Sequence, residues 1–234
     1  MNSNKKIARI LGLLYLVIAV VAPFGMLYIP SNLVVPGDAA TTANNIIASE
    51  SLFRIGLVSD SVVFLVEIVL VALLYVLFRP INRTLSLVAA FSRLAMTVVQ
   101  GVNLLNHLFP LLLLGGADYL AVFEPDQLYA FVLLFLNAHE YVAYIWGAFF
   151  GLHCLFLGYL LFKSGYFPRV LGIVLGILLV CGSLSYLIDS LGNFLFFDFN
   201  ATVSMVFLIP GTIGELILTF WLLLKGVKVP EVES

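Results

Sequence analysis

The chain has 234 residues and a formal charge of −2, from 11 Lys and Arg against 13 Asp and Glu; 62% of its residues are hydrophobic and only 10% are charged. Its mean hydropathy of +1.13 excludes an ordinary soluble domain, in which about a quarter of the residues are charged, and makes lipid the solvent of most of its surface. The near-neutral total excludes a nucleic-acid binder resting on bulk positive charge, and two cysteines, both inside apolar runs, supply neither a disulfide framework nor a Cys-rich zinc site.

About 20 apolar residues are needed for a helix to cross a hydrocarbon core of about 30 Å. Six stretches meet that length, at 7–29, 54–78, 85–114, 129–162, 170–190 and 203–224. The expected fold is therefore an all-α polytopic bundle, with residues 1–234 forming a single integral membrane domain. The first run follows Lys5 and Lys6, as a secretory signal would. It is longer than the roughly 7–15 residues of a signal core and ends in Pro23, Phe24 and Gly25 without a cleavage pattern, so it is expected to remain as an anchor.

The connection over 30–53 opens with Pro36-Gly37-Asp38, where Asp38 can cap a helix, and continues with Ala39, Ala43, Ile46 and Ile47 at helical spacing. That pattern predicts a short interfacial helix in the first outer loop. The turns 79–84 and 163–169 are short, and their prolines end or start helices cleanly. The connection 191–202 carries Phe194, Leu195, Phe196, Phe197 and Phe199, an aromatic group suited to the headgroup layer.

Basic residues in short loops are held on the cytoplasmic side, and an even number of spans puts both termini on one side. That side contains Lys5, Lys6, Arg9, Arg79, Arg83, Lys163, Arg169, Lys225 and Lys228, nine of the eleven basic residues. Both termini are thus expected in the cytoplasm. The opposite face carries Asp38, Glu50, Asp118, Glu124, Asp126 and Asp198.

Several blocks carry a resemblance. They are Pro36-Gly37-Asp38-Ala39-Ala40, Phe53-Arg54-Ile55-Gly56-Leu57-Val58-Ser59-Asp60, Arg79-Pro80-Ile81-Asn82-Arg83, Gly151-Leu152-His153-Cys154, Lys163-Ser164-Gly165-Tyr166-Phe167-Pro168-Arg169 and Tyr186-Leu187-Ile188-Asp189. In order and spacing the chain resembles a prokaryotic multi-pass membrane family known only as domain of unknown function 4386, from about residue 7 to 228. The resemblance implies an inner-membrane protein with six or so helices, and it carries over no catalytic residue.

Ionisable residues inside spans are costly and mark functional candidates. Counted from the cytoplasmic helix ends, Glu67, Arg93, His153 and Glu215 lie roughly 13–17 Å deep, at the midplane. One Arg there has two possible carboxylate partners; a bidentate contact from Arg93 to Glu67 or Glu215 is expected to join spans two, three and six. Such a group can fix helix register, carry protons or ions, or form a ligand-binding charge pair. His153 is expected to donate to a neighbouring carbonyl or carboxylate rather than to bind metal.

Asp60, Asn103, Asn106, His107, His139, Glu140 and Asp189 lie roughly 27–36 Å out on the same scale. Arg93, Gln100, Asn103 and His107 form one stripe of span three, and His139, Trp146 and His153 one face of span four. This outer layer reads as a wet helix end, as a His/carboxylate zinc site, or as a single haem between His107 and His139. The expectation is that the two imidazoles stand too far apart to share a metal, and that a cavity lined by Leu104, Trp146 and Phe150 opens between spans two, three and four. No metal and no cofactor is assigned. Gly147, Gly151, Gly158 and Cys154 read as a packing face of span four.

The function that fits these residues is non-catalytic: binding or carriage of a small amphiphilic ligand or lipid in a polar cavity open to the outer leaflet. Arg93, Glu67 and Glu215 would form its floor, and His107, His139, Asp60 and Asp189 its mouth. The alternatives are an intramembrane metal-dependent hydrolase using His107, His139 and nearby carboxylates, and a structural partner of another membrane protein. The bilayer is the expected partner, nucleic acid is not, and the oligomeric state is left open.

Overall fold

The computed structural model of the protein describes residues 3–196, 199 and 202–228, and among these every regular element is helical. Helix α1 (Ser3–Pro23) passes through a π-helical turn (Phe24–Tyr28) into α2 (Ile29–Leu33). Then follow α3 (Ala39–Ala48), α4 (Glu50–Phe78), α5 (Arg83–Leu114), α6 (Pro125–Lys163), α7 (Arg169–Leu195) and α8 (Thr202–Leu224). Six stretches are long and apolar enough to cross a membrane: Ser3–Leu33, Glu50–Phe78, Arg83–Leu114, Pro125–Lys163, Arg169–Leu195 and Met205–Leu224. All six expected spans are present, and the protein is a multi-pass membrane protein.

Most helices run a few residues past the expected limits; α7 reaches Leu195 rather than 190. Hydropathy marks only the apolar part of a helix, whereas the backbone bonds continue into polar flanks. At the end of α7 the Asn193 side chain donates to the Asp189 carbonyl at 2.8 Å. Phe197, Asp198 and Asn200, which the sequence assigns to the adjoining outer connection, lie outside the described residues.

The expected cap of the 30–53 connection is present. Asp38 Oδ1 accepts from the Thr41 backbone N–H at 2.9 Å, and its Oδ2 from the Thr41 hydroxyl at 2.7 Å. The Thr41 backbone and hydroxyl donors together hold the Asp38 carboxyl below its ordinary range. Asn82 starts α5 in the same way, its Oδ1 accepting from Leu85 N–H at 2.9 Å.

The packing divides into two compact units. One comprises Met1–Val17, Val66–Thr97 and Tyr144–Ser234, the other Ile18–Leu65 and Val98–Ala143. In the first, α6, α7 and α8 approach through glycines. A Cβ on Gly211 would lie 2.5 Å from Gly182 Cα, and one on Gly158 would lie 2.9 Å from the Gly176 carbonyl oxygen. Without a hydrophobic drive between helices in lipid, this close backbone contact supplies the dispersion that holds them. Met96, Phe150 and Cys154 are buried together, with Trp146 and Tyr186 against them. Trp146 and Phe150 stack on each other with ring centroids 5.0 Å apart; Leu104 belongs to the other unit. The turn between α6 and α7 is tied down by Tyr166, whose hydroxyl donates to the Leu77 carbonyl at 3.0 Å. Burial there pushes the Tyr166 phenol up from its ordinary value.

The second unit has its own core of Ile29, Leu33, Ile46, Phe53, Leu111, Val132 and Leu136. Asn45 secures the 30–53 connection by donating to the Leu33 carbonyl at 3.2 Å. Thr42 Oγ1 accepts from Val35 N–H at 2.9 Å. These bonds satisfy backbone groups that the irregular connection leaves without helical partners.

Candidate functional site

The midplane residues assemble within the first unit. Arg93 is 3% exposed and Glu67 4%, so each charge needs a partner on hand. The contact is a two-point fork, with Nε donating to Glu67 Oε2 at 2.6 Å and Nη2 to Oε1 at 2.8 Å. Nη1 turns the other way, towards Tyr15 Oη at 3.3 Å and His153 Nε2 at 3.1 Å. The guanidinium also lies over two rings, 5.1 Å from the Tyr15 centroid and 5.5 Å from that of Phe150, where cation–π attraction adds to the pairing.

The hydrogen bonds determine the His153 tautomer. A guanidinium can only donate, so Nε2 accepts; the Ala89 carbonyl, 2.8 Å from Nδ1, can only accept, so Nδ1 donates. His153 is a neutral imidazole with both nitrogens committed. The cluster joins α1, α4, α5 and α6, and each of its side-chain polar atoms has at least one partner.

Glu215 is not the partner of Arg93. It lies within electrostatic range of Arg93 and Glu67, but among the described residues its carboxylate forms no ion pair. The fork therefore does not tie in span six, while Nη1 ties in span one. Tyr15 is the participant that the ionisable residues alone do not reveal. Its position 12 residues into α1 puts it about 18 Å deep, close to the others, and including tyrosines in the depth count would have found it.

Of the residues expected in the outer layer, Asp60, Asn103, Asn106, His107 and His139 come together in the second unit. His107 and His139 stack with ring centroids 3.7 Å apart and planes 16° from parallel. Asp60 Oδ2 stands 3.8 Å from His107 Nδ1, within ion-pair range but beyond a hydrogen bond. Asn103 is 1% exposed and donates to the His139 carbonyl at 3.0 Å, while Asn106 donates to Asn103 Oδ1 at 2.9 Å. His139 Nδ1 is buried and has no hydrogen-bond partner among the described residues. The Asp60 carboxylate packs against Gly25 in the π-helical turn, where a Cβ would collide with it; such turns often accompany functional positions.

The imidazoles are thus much closer than expected. Their orientation, however, is that of a stack and not of a ligand pair. A metal 2.0–2.1 Å from an imidazole nitrogen lies in the plane of that ring, and an ion in one of these nearly parallel planes lies outside the other. Among the described residues no group of three or more His, Cys, Asp or Glu forms a metal site. Two outer residues stand apart from the stack. Glu140 follows His139 by one position, about 100° round the helix, and is exposed. Asp189 belongs to the first unit, where its Oδ1 accepts from Asn193 at 3.3 Å.

An uncharacterised protein of Archaeoglobus fulgidus is 27% identical over 172 residues, which are 74% of this chain and 84% of that protein. No solved structure matches the chain. Residues 10–226 match the family described as a domain of unknown function (DUF4386), and the chain belongs to that family.

Proposed function

We propose that the protein binds or carries a small amphiphilic molecule or lipid, whose polar end meets Asp60, Asn103, His107 and His139. The observation that supports this is the contrast between the two polar groups. Every side-chain polar atom of Arg93, Glu67, Tyr15 and His153 has a partner. The outer group leaves His139 Nδ1 buried without a partner and Asp60 short of a hydrogen bond to His107. A buried polar atom left open costs about 1–3 kcal/mol, which a headgroup with donor and acceptor atoms would recover.

In this reading the protein sits in the cytoplasmic membrane of a prokaryote, both termini face the cytoplasm, and α3 lies along the outer surface. Thr84 and Ala121 are exposed at the two ends of the spans; Ser164, also in an inner turn, is buried and a poor probe. With Cys181 replaced by Ala, Thr84→Cys should stay unlabelled by a membrane-impermeant maleimide in intact cells, while Ala121→Cys should react. Labelling at Thr84 before lysis overturns the orientation.

Binding is tested by native mass spectrometry of the detergent-purified protein. A lipid-sized adduct is expected on the wild type, weakened roughly tenfold or more in Asp60→Asn and His139→Phe, because one charge-assisted hydrogen bond contributes about 1.5–3 kcal/mol. An adduct indifferent to both substitutions rules out this site. Stoichiometric zinc that disappears in His107→Ala and His139→Ala would favour the hydrolase instead.

A further inference from the structure

We propose a second lipid site, distinct from the outer polar group: a groove between α5, α6 and α7 that seats one acyl chain of an anionic phospholipid, with its headgroup held by Lys163, Arg169 and Arg83. The groove has a volume of about 550 Å³, and its lining, which includes Leu85, Phe156, Tyr159, Phe162, Ile177 and Val180, is almost wholly apolar. It exists because Gly158 and Gly176 bring α6 and α7 close together and leave no side chain at their seam. Along α7 it runs from Ile173 to Cys181, about 12 Å at 1.5 Å per residue, which suits the upper part of a chain and not a compact polar solute.

Charge complementarity identifies the occupant. Phe162 is followed by Lys163, whose Nζ lies 5.5 Å from the Phe162 ring centroid. Arg169 precedes Ile173 by one helical turn, and Arg83 opens the helix that supplies Leu85. All three cations are exposed, and among the described residues none pairs with a carboxylate. They stand at the basic end of the bundle, which faces the cytoplasmic leaflet by the positive-inside rule. An apolar slot beneath three unpaired cations fits a phospholipid with a net negative headgroup better than a zwitterionic one.

Native mass spectrometry of the delipidated full-length protein, with dioleoyl phosphatidylglycerol or dioleoyl phosphatidylcholine added back, tests this. The wild type should prefer phosphatidylglycerol. Lys163→Gln with Arg169→Gln should bind it about 30-fold more weakly, and Ile177→Trp, which fills the groove from an exposed position, should weaken it several-fold. Lys6→Gln, a cation elsewhere on the basic end, should leave binding unchanged. Equal retention of both lipids, an unaffected Ile177→Trp variant, or an equal loss in the Lys6→Gln variant overturns the site. A phosphatidylglycerol signal lost with His139→Phe but kept in the Lys163/Arg169 variant assigns the lipid to the outer group and also overturns it.

Discussion

Replacing Arg93 by Ala is expected to destabilise the detergent-purified protein by about 3–5 kcal/mol, the usual result of removing one partner from a buried ion pair. At about 2–4 °C per kcal/mol for a chain of this size, the melting temperature should fall roughly 6–20 °C. The loss exceeds that of a packing defect because the guanidinium serves three partners. Glu67 is left as an uncompensated buried carboxylate, His153 Nε2 loses the guanidinium that donates to it, and Tyr15 loses both a hydrogen bond and a cation over its ring. Glu67→Gln should fall in a similar range. Arg93→Lys should recover only part of the loss, since a single ammonium cannot reproduce the planar two-point contact. Glu215→Gln should melt within about 1 kcal/mol of the wild type, because no ion pair is broken. Removing Arg93 and Glu67 together should cost less than the sum of the single changes. Wild-type melting in both Arg93→Ala and Glu67→Gln would show that the pair is not a structural clamp.

Gly211→Leu is the second large effect. The Cβ would meet Gly182 Cα at 2.5 Å, and backbone cannot step aside as a side chain can, so α7 and α8 must separate. Overpacking of this kind costs about 1–3 kcal/mol and occasionally more, and here it also removes the close contact that substitutes for a hydrophobic drive in lipid. Loss of a monodisperse peak in size-exclusion chromatography, or a melting point lowered by several degrees, is the expected readout. Gly101 is the control. A Cβ there meets nothing within 4 Å, so Gly101→Ala should stabilise by about 0.4–1 kcal/mol through the unfolded chain. Equal behaviour at the two glycines would refute the packing argument.

Composition alone determined the membrane class, and hydropathy the existence and order of the spans, because transfer into lipid depends on what a segment contains and hardly on what it touches. Depth was legible for the same reason. Residue counts along a rigid helix placed Glu67, Arg93 and His153 in one layer, and periodicity put Arg93, Gln100, Asn103 and His107 on one stripe, of which the first three are buried and His107 is half-buried. Azimuth and partnership were not legible. Glu67 and Glu215 have the same chemistry and nearly the same depth, so only the rotation of α4 and α8 about their axes decides which one meets the guanidinium. The rotation of α6 about its own axis likewise exposes Glu140 one residue from His139. The stack of His107 on His139 is decided by side-chain torsions at a contact between residues 32 positions apart in the chain. Such choices depend on long-range packing, which a linear pattern does not contain, and here they separate a saturated clamp from a polar group with an atom still open.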